Sequence, residues 1–278
     1  MEPDAERWLL ERDVQPGDDV AIAVRPGLCL GLAVGEGASA AWASDDPIAI
    51  VAALERAVRP RWVWWDRHTA DLLVGGGVAV QRCWDVVTVH RLLHGGWRTS
   101  VPVAWAWLHG LPSESLPRSG QLGLLDQPSE EGDDPEQPVR PDGHLRPEWT
   151  GGGWSAHASR LATWAEVALG AARQQRLRLA ERPFPERALS TARSESAAEY
   201  LCAELAHEGL PFDIAEAERI IADTVGPRPA DERDADAMRQ VRDDEVTRHL
   251  GPGPRIDLRN PAEVKAMLRR VAVDVPDT

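Results

Sequence analysis

Residues 62–96 read WVWWDRHTADLLVGGGVAVQRCWDVVTVHRLLHGG, and the order of apolar runs and breakers in them decides the fold. Residues 62–65 form an apolar run of the length of a buried strand. Asp66, Arg67 and His68 lead into a short helix over 69–74, which Gly75, Gly76 and Gly77 close. Residues 78–83 are the next strand. Asp85 then stands at an N-cap before VVTVHRLLHGG, a helix closed by Gly95 and Gly96.

Upstream, residues 18–43 read DDVAIAVRPGLCLGLAVGEGASAAWA. Residues 20–24 and 28–34 are two apolar strands joined by an Arg-Pro-Gly turn, and Trp42 lies on a third. Asp45, Asp46 and Pro47 start a helix over 48–58, with Ile50, Val51, Leu54 and Val58 at helical spacing. The β-β-β-α-β-α-β-α order predicts a mixed sheet with helices on its faces. A further short helix covers 101–108.

Residues 113–153 change character, with nine acids against three arginines and prolines throughout. They read as an acidic, flexible insertion. A long helix is expected over 154–180, with Leu161, Trp164, Val167, Ala168, Ala171 and Ala172 as its apolar stripe. Pro183 and Pro185 end it. Three further helices and a last one over 262–271 follow: Ser194, Glu195 and Ser196 cap a helix to His207, Asp213 caps 214–225, and a third covers 238–249.

The chain has 278 residues, 43% of them hydrophobic, enough for a sizeable core. Its net charge of −14 means that any surface for nucleic acid must be a local basic patch. Cys29, Cys83 and Cys202 are scattered and odd in number, which argues against a disulfide framework or a structural zinc site. There is no signal-peptide core and no apolar run of about 18 residues, so the expectation is a cytoplasmic protein without a membrane partner.

Residues 62–96 are similar to the 3′-5′ exonuclease domain of family A (DNA polymerase I-like) DNA polymerases. Strand, helix, Gly, strand, "(F/W)-D" and helix come in that family's order. The tail is similar to the entry of the polymerase thumb. SESAAEYLCAELAHEGLPFDIAEAERIIA (194–222) resembles the helix before the thumb, which in that family ends in "E-x-x-G-(I/L/V)"; here Gly209 and Leu210 match and Ala206 stands in the glutamate's place. IDLRNPAEV (256–264) resembles the family's later segment before the palm. The chain thus resembles the N-terminal region of the bifunctional 3′-5′ exonuclease/DNA polymerases of high-GC bacteria. The resemblance implies a ribonuclease H-like α/β domain over 1–180, with 113–153 as its insertion. It also implies an α-helical, thumb-like region over 190–278, with palm and fingers absent. A polymerase body beyond Thr278 is the partner implied if the native chain is longer.

The exonuclease chemistry of that family needs four carboxylates around two divalent ions. Aligned to its motifs, the D-x-E positions carry Val24 and Pro26, and the N-x-x-x-D aspartate falls on Thr69 or Ala70. The Y-x-x-x-D stretch, opening at Trp154, holds no carboxylate, and Glu166 lies too far along. The resemblance therefore implies a degenerate nuclease site. No cofactor is expected, with Mg²⁺ or Mn²⁺ only if a nuclease survives on Asp66, Asp71 and Asp85. His90 and His94 stand at i, i+4, but Arg91 occupies the place of the glutamate in a zinc-binding H-E-x-x-H helix.

For DNA, the basic candidates are Arg173, Arg176 and Arg178, then Lys265, Arg269 and Arg270. Most of the twelve tryptophans lie in apolar strands or stripes and read as core, whereas Trp97 and Trp149 read as surface residues. Three functions remain open from sequence: a partial family A polymerase in DNA replication or repair, a non-catalytic DNA-binding module, and a residual 3′-5′ exonuclease.

Overall fold

The computed structural model describes residues 2–96, 99–114, 116–117, 134–251, 253, 256–273 and 275. The chain divides into two compact units, Met1–Leu210 and Pro211–Thr278.

The first unit is α/β, with a five-stranded mixed sheet between helices. Its strands are β1 (Asp19–Arg25), β2 (Cys29–Ala33), β3 (Ser39–Ala43), β4 (Arg61–Trp64) and β5 (Cys83–Asp85). They lie in the order β3-β2-β1-β4-β5. β1, β2 and β3 form an antiparallel meander, while β4 runs parallel to β1 and β5 parallel to β4. Pro26 and Gly27 make the first turn tight. Leu28 N donates to Arg25 O over 3.1 Å, and Gly27 has φ +70°, the left-handed position a proline-glycine turn requires.

The helices are α1 (Glu2–Leu10), α2 (Pro47–Ala57), α3 (Arg67–Gly75), α4 (Val86–His94), α5 (Val101–Leu108), α6 (Pro147–Thr150), α7 (Ala158–Ala180) and α8 (Pro185–Glu208). They cover both faces of the sheet, and the residue alternation of the strands sets which face is which. Val20, Ile22, Val24, Leu30, Leu32, Trp62 and Trp64 face a core completed by Leu9, Ile50, Val51, Leu54, Leu73 and Tyr200. Ala21, Ala23, Ala33, Val63, Trp65 and Trp84 face a second core with Leu161, Trp164, Ala165, Ala168 and Ala172 of α7. The second face is small-residued where α7 crosses it. At Gly31 of β2 an added Cβ would stand 2.4 Å from the Leu161 carbonyl carbon, closer than any side chain tolerates. The helix lies on strand backbone there.

The indoles of β4, of Trp65 and of β5 find acceptors, as a buried N–H demands. Trp62 donates to Glu55 (2.7 Å), Trp64 to Asp85 (3.0 Å), Trp65 to Trp164 O (3.3 Å), and Trp84 to Gln175 (2.8 Å).

Several expected elements differ. Residues 78–82 are not a strand; β5 is the short Cys83–Asp85, so Asp85 both ends the strand and caps α4. The long helix starts at Ala158, after a 3-10 turn over Gly153–Ser155. The helix expected from Ser194 starts at Pro185, because Pro185 suits its first turn, and Ser196 lies buried in mid-helix. That helix packs on α3, α4, α7 and β5, so the division of the chain falls after Leu210 rather than between 180 and 190.

The acidic stretch is also not uniform. Residues 115 and 118–133 lie outside the described residues, as does Trp97. Residues 134–153 are folded: Val139 and Leu145 form an antiparallel bridge, and Trp149 is fully buried. Trp149 donates to Pro135 O over 3.0 Å, with the Arg160 guanidinium 4.9 Å above its ring. It is a core residue, not a surface one. Its apolar ring outweighed the polar composition around it.

The second unit holds α9 (Ile214–Val225), α10 (Glu232–Thr247) and α11 (Pro261–Arg270). Asp213, Asp231 and Asn260 cap them through hydrogen bonds to Glu216 N, Asp234 N and Ala262 N. Ile214, Ile220, Ile221, Val225, Val241 and Val246 are exposed, and Met267 is the one buried hydrophobic side chain among the unit's described residues.

Replacing Gly31 by alanine tests the contact of α7 with the sheet. Forcing a methyl into a 2.4 Å gap is expected to cost about 3 kcal/mol, the upper end for overpacking, and to lower Tm by roughly 6–12 °C. An unchanged Tm would mean that helix and strand separate freely.

Candidate functional site

The parallel strands β1, β4 and β5 point their C-terminal ends the same way, and ligands of open α/β sheets bind at such ends. Two of the three candidate aspartates sit there. Asp85 is paired in register with Trp64, and Asp66 follows β4. Asp71 is one turn further along α3.

Each carboxylate already has a local task. Asp85 is 1% exposed. Its Oδ1 accepts from Thr88 N (2.7 Å), capping α4, and its Oδ2 accepts from the Trp64 indole (3.0 Å). Its backbone N–H donates to Ser196 Oγ over 3.1 Å, which ties β5 to α8. Burial pushes its carboxyl up to about 7, against the pull of its Thr88 and Trp64 hydrogen bonds. Asp66 caps α3, accepting from His68 N over 3.1 Å, and burial raises its pKa as well. Asp71 is exposed and pairs with Arg67 at 3.2 Å. Arg67 also reaches Glu199 (3.8 Å), which Arg91 holds at 2.7 Å.

At the end of β1, where a carboxylate pair would complete a two-metal centre, the chain presents Val24, Arg25 and Pro26. Val24 is buried in the core, and the Arg25 guanidinium donates to Ser155 O. In the stretch that opens α7, Trp154 stacks on Trp164 with rings 6.4 Å apart, and His157 pairs with Glu136 at 3.1 Å. Glu166, further along, binds Gly37 N (3.1 Å) and Ser39 Oγ (2.9 Å) and so fastens α7 to the β2–β3 turn. Among the described residues no three His, Cys, Asp or Glu side chains come together as metal ligands. The residues present do not fit a pair of divalent ions. The donors left at this end are Asp85, both of whose oxygens are engaged, and Asp66, whose Oδ1 caps α3 and which keeps one oxygen, and the β1 side supplies none.

What this end does hold is a cavity of about 380 Å³ lined by Ile22, Ala23, Trp65, Asp66, Trp154 and Trp164, among others. On α4, burial and the neighbouring His94 bring His90 down to about 4, so it is neutral. Its ring packs against His94 and Trp107, at 5.3 and 5.4 Å, as a core histidine does. Burial pushes the Cys83 thiol up to about 12, which makes it a packing group.

The basic candidates separate. Arg178 donates to Leu108 O (2.6 Å) and lies 4.7 Å above the Trp107 ring, so it anchors α5 to α7. Arg176 binds both oxygens of Asp19, one at 2.7 Å, with its guanidinium 4.4 Å above Trp84. Arg173 is half-buried on the same helix. In the second unit Lys265 is half-buried, Arg269 and Arg270 are exposed, and the Arg270 guanidinium lies beside Gly253. Sequence reading missed Ser196, Glu55 and Gln175 as buried polar partners, and it missed Arg61 and Arg193 as neighbours of Arg176. Only the tryptophans signalled Glu55 and Gln175, since a buried indole requires an acceptor; nothing local signalled Ser196.

Comparison of the chain with family models, with curated proteins and with solved structures gave no match. Among the described residues no helix is long and apolar enough to cross a membrane.

Asp85 gives this end of the sheet a pH signature. Its pKa is raised on folding from 3.8 to about 7, so its protonation stabilises the fold in full below about pH 4. That contribution is lost as pH rises through 7. Tm of the wild type should therefore fall between pH 4 and 7 relative to Asp85→Asn, whose amide does not titrate. Parallel Tm profiles for the two proteins would contradict a buried, titrating Asp85.

Proposed function

We propose that this chain is a non-catalytic, DNA-handling part of a family A polymerase-like protein. In this reading residues 1–210 are a ribonuclease H-like, exonuclease-type domain, and α9, α10 and α11 belong to a thumb-like region. An antiparallel meander continued by parallel strands through helices, in the order β3-β2-β1-β4-β5, supports the ribonuclease H-like assignment. The order of elements through residues 62–96 and the helix end at Gly209 support the family.

One observation carries the non-catalytic part. At the C-terminal ends of the parallel strands the carboxylates are absorbed into the fold: Asp85 caps α4 and holds the Trp64 indole, and Asp66 caps α3. A two-metal hydrolytic centre needs unshared carboxylate oxygens facing a common point. The role left for such a domain is to hold nucleic acid or the remainder of a polymerase, with DNA replication or repair as its setting.

Two measurements on the full chain test this reading. Labelled single strands and primer–template DNA, incubated with Mg²⁺ or Mn²⁺, should stay intact at high protein concentration. Binding to the same DNA should be present at low salt and fall steeply as salt is raised. Mn²⁺-dependent shortening that disappears in Asp66→Ala would overturn the non-catalytic reading. Absence of DNA binding at low salt would remove the DNA-handling one.

A further inference from the structure

At the opposite end of the sheet from the aspartates, where β1 and β4 begin, two arginines bind one carboxylate and two more lie near them. Asp19 opens β1, and its Oδ1 lies 2.7 Å from Arg176 of α7 and 3.4 Å from Arg61 of β4. Arg61 also donates to Gly17 O over 3.0 Å. Arg82, just before β5, passes over the same glycine: a Cβ on Gly17 would lie 3.9 Å from its Nε. Arg193 of α8 is exposed and stands close enough to both Arg61 and Arg176 to lower the pKa of each, adding to the effect of their own burial. Among the described residues neither Arg82 nor Arg193 has an ion-pair partner. The acids that face the group are Asp19 and, by its field on Arg61, Asp18. Asp18 is itself engaged by Gln15 N at 2.8 Å.

Four guanidiniums against two carboxylates leave an excess of positive charge in one spot of a chain whose net charge is −14. Like charges held near one another in partial burial cost stability, and a bound anion removes that cost. Two of the four are held rigidly. Arg176 is clamped between Asp19 and the buried face of Trp84, whose indole is fixed by Gln175, which in turn donates to Val86 O over 2.7 Å. Arg61 is pinned to backbone at Gly17. Planar guanidinium forks in fixed positions match the oxygens of a phosphate group, which offers several acceptors and up to two charges at a single centre.

We propose that Arg61, Arg82, Arg176 and Arg193 form a phosphate-binding site at the N-terminal edge of the sheet. The phosphate belongs either to a nucleic-acid backbone or to a small phosphate such as pyrophosphate. This deepens the DNA-handling reading by naming the group through which the first unit meets DNA, but the site itself stands on the arginines. An acidic peptide offers carboxylates of single charge spread along a chain, which suits a stripe of basic residues better than this convergent cluster.

The test is calorimetric titration of the full chain at low salt with inorganic pyrophosphate, with a short DNA duplex and with a glutamate-rich peptide. It uses the wild type, Arg193→Ala and Arg193→Glu. Arg193 is exposed on its helix, so its replacement leaves packing intact; relief of repulsion should raise Tm without ligand by about 1–3 °C. Pyrophosphate should bind the wild type, and Arg193→Ala should weaken it about tenfold, the loss of one charge-assisted contact. Arg193→Glu should abolish it. DNA binding weakened in parallel assigns the site to nucleic-acid phosphate. Pyrophosphate binding with no DNA binding keeps the site, assigns it to a small phosphate and removes the DNA-handling reading. Absence of pyrophosphate and DNA binding, affinity unaffected by both Arg193 variants, or binding of the glutamate-rich peptide alone would each overturn the proposal.

Discussion

The approach of α7 to the strand backbone at Gly31 is the constraint on which the rest of the first unit depends. A helix this close needs a face of the sheet without bulk, and Ala21, Ala23, Gly31 and Ala33 supply it. The bulk moves to the other face, where Val, Ile and Leu of β1 and β2 meet α1, α2 and α3. The two faces thus have different jobs. One is a conventional branched-aliphatic core. The other is a seat for a 23-residue helix, whose polar side chains then reach far-apart parts of the unit. Glu166 holds the β2–β3 turn, Gln175 holds Trp84, Arg176 holds Asp19, and Arg178 holds α5.

A second consequence follows from the tryptophans. Half of β4 is indole, with Trp62 and Trp64 on one face and Trp65 just beyond it on the other. Large rings fill a short strand well, but each brings an N–H that costs free energy if left without an acceptor. The acceptors nearest to hand are carboxylates, Glu55 for Trp62 and Asp85 for Trp64. Burying those acids is costly in turn, and Asp85 answers by titrating near 7 rather than below 4. Tryptophan packing and a set of free carboxylates therefore compete for the same end of the sheet. A strand with aliphatic residues in place of Trp64 would leave Asp85 an oxygen to spare.

Much of this was legible in the chain and some was not, for physical reasons. The meander, the helix after Asp46 and the capping aspartates at Asp85 and Asp213 follow from local rules, because caps and turns are decided within four residues. The strand expected over 78–83 failed because apolar residues there pack as a loop, and pairing with β4 begins only at Cys83. The start of α8 was placed late because serines at 194–196 resemble a cap. Only tertiary packing reveals that Ser196 is a buried link to Asp85. Trp149 was misplaced for the complementary reason, since composition averages over a window and one ring can fold it. At the candidate site, sequence told that Val24 and Pro26 carry no ligand. It did not tell that Asp66 caps α3, nor that the second oxygen of the capping Asp85 is taken by the Trp64 indole, because a cap and a ligand use the same side chain.

The two ends of the sheet illustrate how a fold redistributes charge without changing its topology. At the C-terminal ends of the parallel strands, negative charge is withdrawn: Asp85 is neutralised in part by burial, and Asp66 is turned toward a helix N-terminus, whose partial positive charge suits it. At the N-terminal ends, positive charge is gathered instead. Arg61, Arg82, Arg176 and Arg193 come from a strand, a loop and two helices that meet only because α7 and α8 cross the sheet as they do. None of the four is close to another in sequence in a way that a basic run would betray, and −14 of net charge hides them further. An acidic chain can gather positive charge in one place only by convergence, not by composition. The long helix seated on Gly31 makes that convergence possible, since it carries Arg176 to the edge where Arg61 begins its strand.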